Sequence, residues 1–199
     1  MKKLGIILFS FLVFIKSSSA NSYSTNPQLF VTELVNDSIS KLSDKNLSKE
    51  EKSKFIEVIA LENVDINALS LYTLGELRKT VDKKILIEYQ KAFEKYFLKS
   101  LTSRLTDYSS NQFEVISSDK KSVNYTIVKS KIKESGDQPE IKIDWRIYTK
   151  DPNNPLIRDL IIEGLSLART QKEEFASVLN SNDDKIEALF KTLEEFSSK

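Results

Sequence analysis

Asp159 and Glu163 are the carboxylates whose placement suggests chemistry. They stand four residues apart around the apolar run Leu160-Ile161-Ile162, on the outward side of an expected strand. Two carboxyls held close together can divide general-acid and general-base work. The same pair can equally serve as surface or ion-pair residues, and that is the expectation. Arg78 and Arg169 have guanidinium groups suited to a phosphate, or to ordinary exposed salt bridges. The chain has no histidine and no cysteine. Ser-His and Cys-His nucleophile pairs, His-ligated or Cys-ligated metal sites and disulfides are therefore excluded. Its four glycines are not grouped, so no phosphate-cradling loop is present. Gly75 and Gly164 are read as turn residues. The chain is expected to have no enzymatic activity, no catalytic residues and no metal or cofactor.

The elements that must position these residues follow from periodicity. Asn26-Pro27 opens a helix with proline at its first position, and Val31, Leu34, Val35, Ile39 and Leu42 recur at helical spacing. Ser48-Lys49-Glu50-Glu51 is a capping box for a second helix with Phe55, Val58 and Ile59 on its apolar face. Asp65 caps a third. A long amphipathic helix is predicted from about 83 to 108, with Leu86, Tyr89, Phe93, Tyr96, Phe97, Leu101, Leu105 and Tyr108 along one stripe. The period then changes from 3.6 to 2. Phe113 and Val115 begin a strand, and Val123, Tyr125 and Ile127 alternate in the next. Ile141, Ile143, Trp145 and Ile147 alternate in a third after the loop Gly136-Asp137-Gln138-Pro139. Leu156 to Ile162 is the fourth. Thr170-Gln171-Lys172-Glu173 reads as a capping box for a helix through Phe175, Val178 and Leu179, and Ile186, Leu189, Phe190 and Leu193 mark a last one. The expected fold is α+β: an N-terminal helical lobe (about 26–82), then a long helix packed on a curved four-stranded antiparallel sheet, closed by C-terminal helices.

Lys2 and Lys3, the apolar run from Leu4 to Ile15 and the small residues Ser17-Ser18-Ser19-Ala20 have the form of a secretory signal peptide, residues 1–20. The run is too short to span a bilayer. No later segment is long and apolar enough to do so, and a soluble mature protein is expected. Without Lys2, Lys3 and Lys16, 27 basic residues face 29 acidic ones, a net charge of −2. That balance argues against nucleic acid as a partner.

Three blocks resemble the MlaC (toluene-tolerance) family. Thr73-Leu74-Gly75-Glu76-Leu77-Arg78 is similar to the family's Leu-Gly-x-x-Trp/Tyr-Arg joint before the long helix. Phe93, Leu101 and Tyr108 stand where that helix carries Phe, Leu and Tyr. Asp159, Glu163-Gly164-Leu165-Ser166-Leu167 and Phe175 match its last strand and helix. Three positions depart from the pattern: Leu77 replaces the joint's aromatic, Leu156 stands in place of a Trp, and Thr170-Gln171-Lys172 in place of Asn-Tyr-Arg.

The resemblance implies a periplasmic phospholipid carrier. Residues 21–199 would form one lipid-binding domain, the α+β part spanning about 83–199. It would be a monomer, with phospholipid as cargo. Its partners would be an outer-membrane lipoprotein complex (MlaA-like) and an inner-membrane ABC transporter with its lipid-binding ring (MlaD-like). Under that resemblance Leu74, Phe93, Phe97, Leu101, Tyr125, Ile127, Ile143, Trp145, Leu160, Ile162, Leu165, Phe175 and Leu179 are expected to line an apolar tunnel, each of them also a candidate for plain core. The alternatives are a small periplasmic enzyme acting on an apolar substrate through Asp, Glu or Tyr, and a non-catalytic adaptor. The secretion reading makes one direct prediction: N-terminal sequencing of the exported protein begins at or near Asn21, and an N-terminus at Met1 overturns it.

Overall fold

The structure, a computed structural model, describes residues 23–106, 113–133 and 139–198. The expected signal peptide, Tyr108 and the loop residues Gly136, Asp137 and Gln138 lie outside them. Among the described residues the order is α1 (Pro27–Ser43), α2 (Lys49–Asn63), α3 (Ile66–Thr73), a 3₁₀ turn (Gly75–Lys79), α4 (Lys83–Leu105), β1 (Phe113–Lys120), β2 (Tyr125–Ile132), β3 (Ile141–Tyr148), β4 (Leu156–Ile162), β5 (Leu165–Ser166), α5 (Leu167–Asn180) and α6 (Ile186–Ser197). The fold is α+β, and the strands form one antiparallel sheet in the order β1-β2-β3-β4-β5. The short fifth strand is the addition to the expected four.

Helix starts are set by side-chain caps. Asn26 accepts from the backbone N–H groups of Gln28 and Leu29. Ser48 and Glu51 complete a reciprocal capping box. Asp65 accepts from Ala68 N at 3.0 Å, and Asp82 caps α4 through Lys84 N. Each satisfies donors that the first helical turn leaves without partners.

The start of α5 corrects the reading of Thr170. Ser166 is the cap, its Oγ accepting from Arg169 N at 3.0 Å, and the helix begins at Leu167. Thr170 is already helical and donates its hydroxyl to the Ser166 carbonyl at 3.0 Å. The helix starts early because the chain reverses earlier. Glu163 and Gly164, at φ of 49° and 82°, form a two-residue hairpin turn, and Ile162 pairs with Leu165 across it.

A bulge in β4 sets how the helices meet the sheet. Arg146 pairs with Asp159 and Ile147 with Ile157, so Arg158 is the extra residue. Its guanidinium donates to Asp65 Oδ2 (2.8 Å from Nε, 2.6 Å from Nη2) and to the Tyr125 hydroxyl (2.8 Å), and lies 3.4 Å from the centre of the Tyr148 ring. Burial disfavours its charge, yet the bonds to Tyr125 and Asp65 outweigh that and hold its pKa above the ordinary arginine value. Because Asp65 caps α3, one arginine ties that helix to the sheet. Its neighbour Asp159 is 4% exposed and does the same for α5, accepting from Ser166 Oγ at 2.6 Å and Ala168 N at 3.0 Å.

Two apolar cores result. In one, Tyr89 and Phe93 of α4 pack with Ile66 and Leu69 of α3, Phe175 and Leu179 of α5, and Leu189 and Leu193 of α6. In the other, Phe30, Val31 and Leu34 of α1 lie on Val128, Trp145, Ile147 and Ile157 of the sheet. Both cores combine helices from before residue 82 with elements after it. The helix in closest contact with the sheet is α1, whereas α4 has its nearest backbone neighbours in α2, α3 and α6. Replacing Asp159 with alanine leaves the Ser166 hydroxyl and the Ala168 N–H without their buried acceptor. We expect a loss of about 1–3 kcal/mol of stability, read as a lowered urea midpoint at an unchanged denaturant slope. An unchanged midpoint rules out the capping role.

Candidate functional site

The cross-strand register decides which residues share a wall. In an antiparallel pair, directly opposed residues point to the same side of the sheet. One face carries Phe113 and Val115 of β1, then Val128, Ser130 and Ile132 of β2. It continues with Ile141, Ile143, Trp145 and Ile147 of β3, Leu160 and Ile162 of β4, and Leu165 of β5. Tyr125 and Ile127 pair with Tyr148 and Arg146 and belong to the opposite face. This corrects their place in the expected tunnel. Tyr125 bonds Arg158, and neither residue shares a surface with Ile143, Trp145, Leu160 and Ile162. Alternation within β2 could not reveal this, because its parity relative to β3 depends on where the strands pair.

The other expected lining residues separate into three groups. Leu74, Phe93, Phe175 and Leu179 are buried in the helical core. Phe93 is the hub of that core's aromatic contacts, with ring centres 6.0 Å from Phe97 and 6.2 Å from Phe175. Trp145 is buried in the sheet core, with Ile143 and Leu160 packed against it. Its indole N–H donates to Ser130 Oγ at 2.9 Å, and that hydroxyl donates to the Ile143 carbonyl at 2.9 Å. The polar edge of the ring is thus satisfied inside the sheet and its apolar surface is left for packing.

Leu101, Ile162 and Leu165 belong to neither core. Nor do Leu105 on α4 and Ile132 and Ile141 on the same sheet face, and all of these except Leu165 are half-buried. Phe97, Leu101 and Leu105 are four residues apart and form one line along α4. That line runs between the side carrying Tyr89 and Tyr96, which packs on α6, and the side carrying Thr102 and Thr106, which lines a groove with α2. Ile132 and Ile141 were not among the expected lining residues, although Ile141 shares the parity of Ile143 and Trp145. Among the described residues, Leu101 and Leu105 on α4 and Ile132, Ile141 and Ile162 on the sheet are thus half-buried apolar side chains outside both cores. Among the described residues no extensive backbone contact joins α4 to the sheet.

The surroundings are electrostatically quiet. Burial pushes the Tyr96 hydroxyl above its ordinary pKa, with the nearby Glu174 adding to the effect and a 2.8 Å bond to Gln171 opposing it. Burial raises Tyr89 further, against its 3.0 Å contact with the Thr73 hydroxyl. Both stay neutral at physiological pH. The carboxylate pair is taken up by the fold: Asp159 accepts from the α5 cap Ser166 and from Ala168 N, and the Glu163 side chain accepts from Lys142 N. Arg169 lies 3.4 Å from Glu173, and Arg78 donates to the Gly75 carbonyl. Gly75 and Gly164 both have positive φ, 64° and 82°, as turn residues should. The groove between α2 and α4, about 550 Å³, is lined by Lys49, Glu50, Glu57, Lys99, Thr102 and Thr106 among others. That lining suits water and ions and does not suit an alkyl chain.

Among solved structures, a phospholipid-binding protein from Ralstonia solanacearum, in complex with a phospholipid, has a similar fold. The TM-score is 0.69 at 18% identity, over 84% of this chain and 94% of that one. A search among curated proteins finds no match. A family model described as MlaC protein matches residues 32–195. Since that match runs over most of the length, the chain belongs to the MlaC family.

Proposed function

We propose that this protein is a periplasmic phospholipid carrier. It holds acyl chains between the Phe97–Leu101–Leu105 line of α4 and the Ile132, Ile141, Ile143 and Ile162 side chains of the sheet, and it catalyses no reaction. The observation that carries the reading is the set of half-buried apolar side chains, Leu101 and Leu105 on α4 and Ile132, Ile141 and Ile162 on the sheet, that belong to neither core. Membership of the MlaC family supports it, as does the phospholipid held by the Ralstonia protein of similar fold. Shuttling would run between an outer-membrane lipoprotein complex and an inner-membrane ABC transporter with its lipid-binding ring, after export by the N-terminal signal sequence.

The energetics suit such a task. Each methylene kept from water is worth about 0.8 kcal/mol, so an acyl chain of ~15 methylenes represents about 12 kcal/mol. A carrier must offer a comparable apolar surface or the lipid stays in its bilayer. It must also let go, and passage from one apolar enclosure to another cancels most of that term. The headgroup can remain in water, which agrees with walls that have no charged side chain among the residues named.

Filling the space tests the proposal. Leu101→Trp adds bulk where the proposal leaves room. In a closed core such a substitution overpacks and costs typically 1–3 kcal/mol. Here we expect thermal stability within a degree or two of wild type and at least a severalfold loss of phospholipid co-purifying with the protein, quantified by solvent extraction and mass spectrometry. Unchanged lipid content, or a variant that unfolds from overpacking, removes Leu101 from the wall. Wild-type protein that carries no phospholipid, and acquires none from vesicles, overturns the carrier reading itself.

A further inference from the structure

The third row of the apolar face runs across the sheet as Ser130, Ile143, Ile162 and Leu165, each paired with the next. Exposure rises along it. Ser130 is 1% exposed, Ile143 and Ile162 are half-buried, and Leu165 is 69% exposed. Leu167, two residues on, is 43% exposed. Single exposed leucines are common and need no explanation. This one differs because it continues the Ile143–Ile162 pair of the proposed lipid wall to the edge of the sheet, directly after the turn of a hairpin.

The tip is also rigidly placed. The turn has positive φ at both Glu163 and Gly164, which matches the right-handed twist of the strands. Glu163 N donates to the Lys142 carbonyl at 3.0 Å, and Lys142 N donates back to the Glu163 carboxylate. On the far side, Ser166 is held by Asp159 and caps α5. Leu165 is therefore fixed between two anchored residues with its side chain in solvent. A Cβ on Gly164 would meet nothing within 4 Å, so the space beside the tip is open.

We infer that Leu165 is the rim of the acyl-chain mouth, and that a phospholipid tail crosses the β4–β5 hairpin when it enters or leaves. The inference rests on the carrier reading above and adds where the cargo passes. Leu165 was expected to be a wall residue. Its exposure assigns it the step of transfer in place of the bound state. A tail in transit would otherwise meet water between the carrier's wall and the bilayer, and an apolar rim shortens that gap.

The rim makes a kinetic prediction that the wall does not. Full-length mature protein loaded with phospholipid is mixed with acceptor vesicles of phosphatidylethanolamine and phosphatidylglycerol, and transfer is followed with a fluorescent phospholipid. Leu165→Glu should keep the wild-type lipid content and fold, since the side chain is in solvent. Its transfer rate should fall roughly tenfold or more, the factor that a leucine's burial is worth when it is lost only on the path. Leu165→Met should transfer at close to the wild-type rate. A Leu165→Glu protein that transfers as fast as wild type overturns the rim assignment. So does one that loses its lipid on purification, because Leu165 would then be wall. Wild-type protein without lipid speaks against the carrier reading instead, and the two failures are distinct.

Discussion

Arg158 and Asp159 decide the shape of this molecule. A bulge places two charged neighbours side by side in β4, and each recruits a helix: Arg158 binds the cap of α3, and Asp159 supports the cap of α5. Both contacts are short and at least partly shielded from water, where charge-assisted hydrogen bonds are stronger than on an open surface. Their effect is geometric as much as energetic. With α3 and α5 anchored to the edge of β4, the helices that pack on them, α4 and α6, are built outward from that edge. The long helix thus has its nearest backbone neighbours in α2, α3 and α6. Leu101 and Leu105 of α4 stay half-buried outside both cores.

Much of this was legible in the residues and some was not. Asn26-Pro27, Ser48 with Glu51, Asp65 and Asp82 are local signals, because a cap and its helix lie within four residues of each other. The strands beyond residue 112 announce themselves by alternation. What local pattern cannot convey is pairing. The parity of Tyr125 and Ile127 within β2 is plain, but which face that parity becomes depends on its register with β3. The bulge at Arg158 is likewise invisible in Leu156 to Ile162, which reads as an uninterrupted strand. Thr170 misled for a related reason. Its capping box has the right letters, but the hairpin at Glu163-Gly164 brings Ser166 into the capping position one turn earlier. The separation of core from half-buried surface needed the packing: of the residues expected to line a tunnel, Leu74, Phe93, Phe175 and Leu179 are buried in the helical core and Trp145 in the sheet core.

That separation would let a carrier of the proposed kind keep space for a cargo and remain folded. A void inside a single core lowers stability, since the atoms around it lose packing contacts on one side. Here the apolar interior is divided into two cores, with Val64 packed against both. The helical core closes around Tyr89, Phe93 and Leu189, and the sheet core closes around Val31, Val128 and Ile147, all of them almost fully buried. The half-buried Leu101, Leu105, Ile132, Ile141 and Ile162 belong to neither core. Emptying the space exposes apolar surface without removing a support from either core. On the proposed carrier reading the protein would give up its lipid and stay folded, and the cost of the empty state would fall on hydration of the wall and not on the fold. That cost is in turn what draws the next chain in. A wall that was stable when empty would have no reason to bind, and one belonging to a core would collapse when its cargo left.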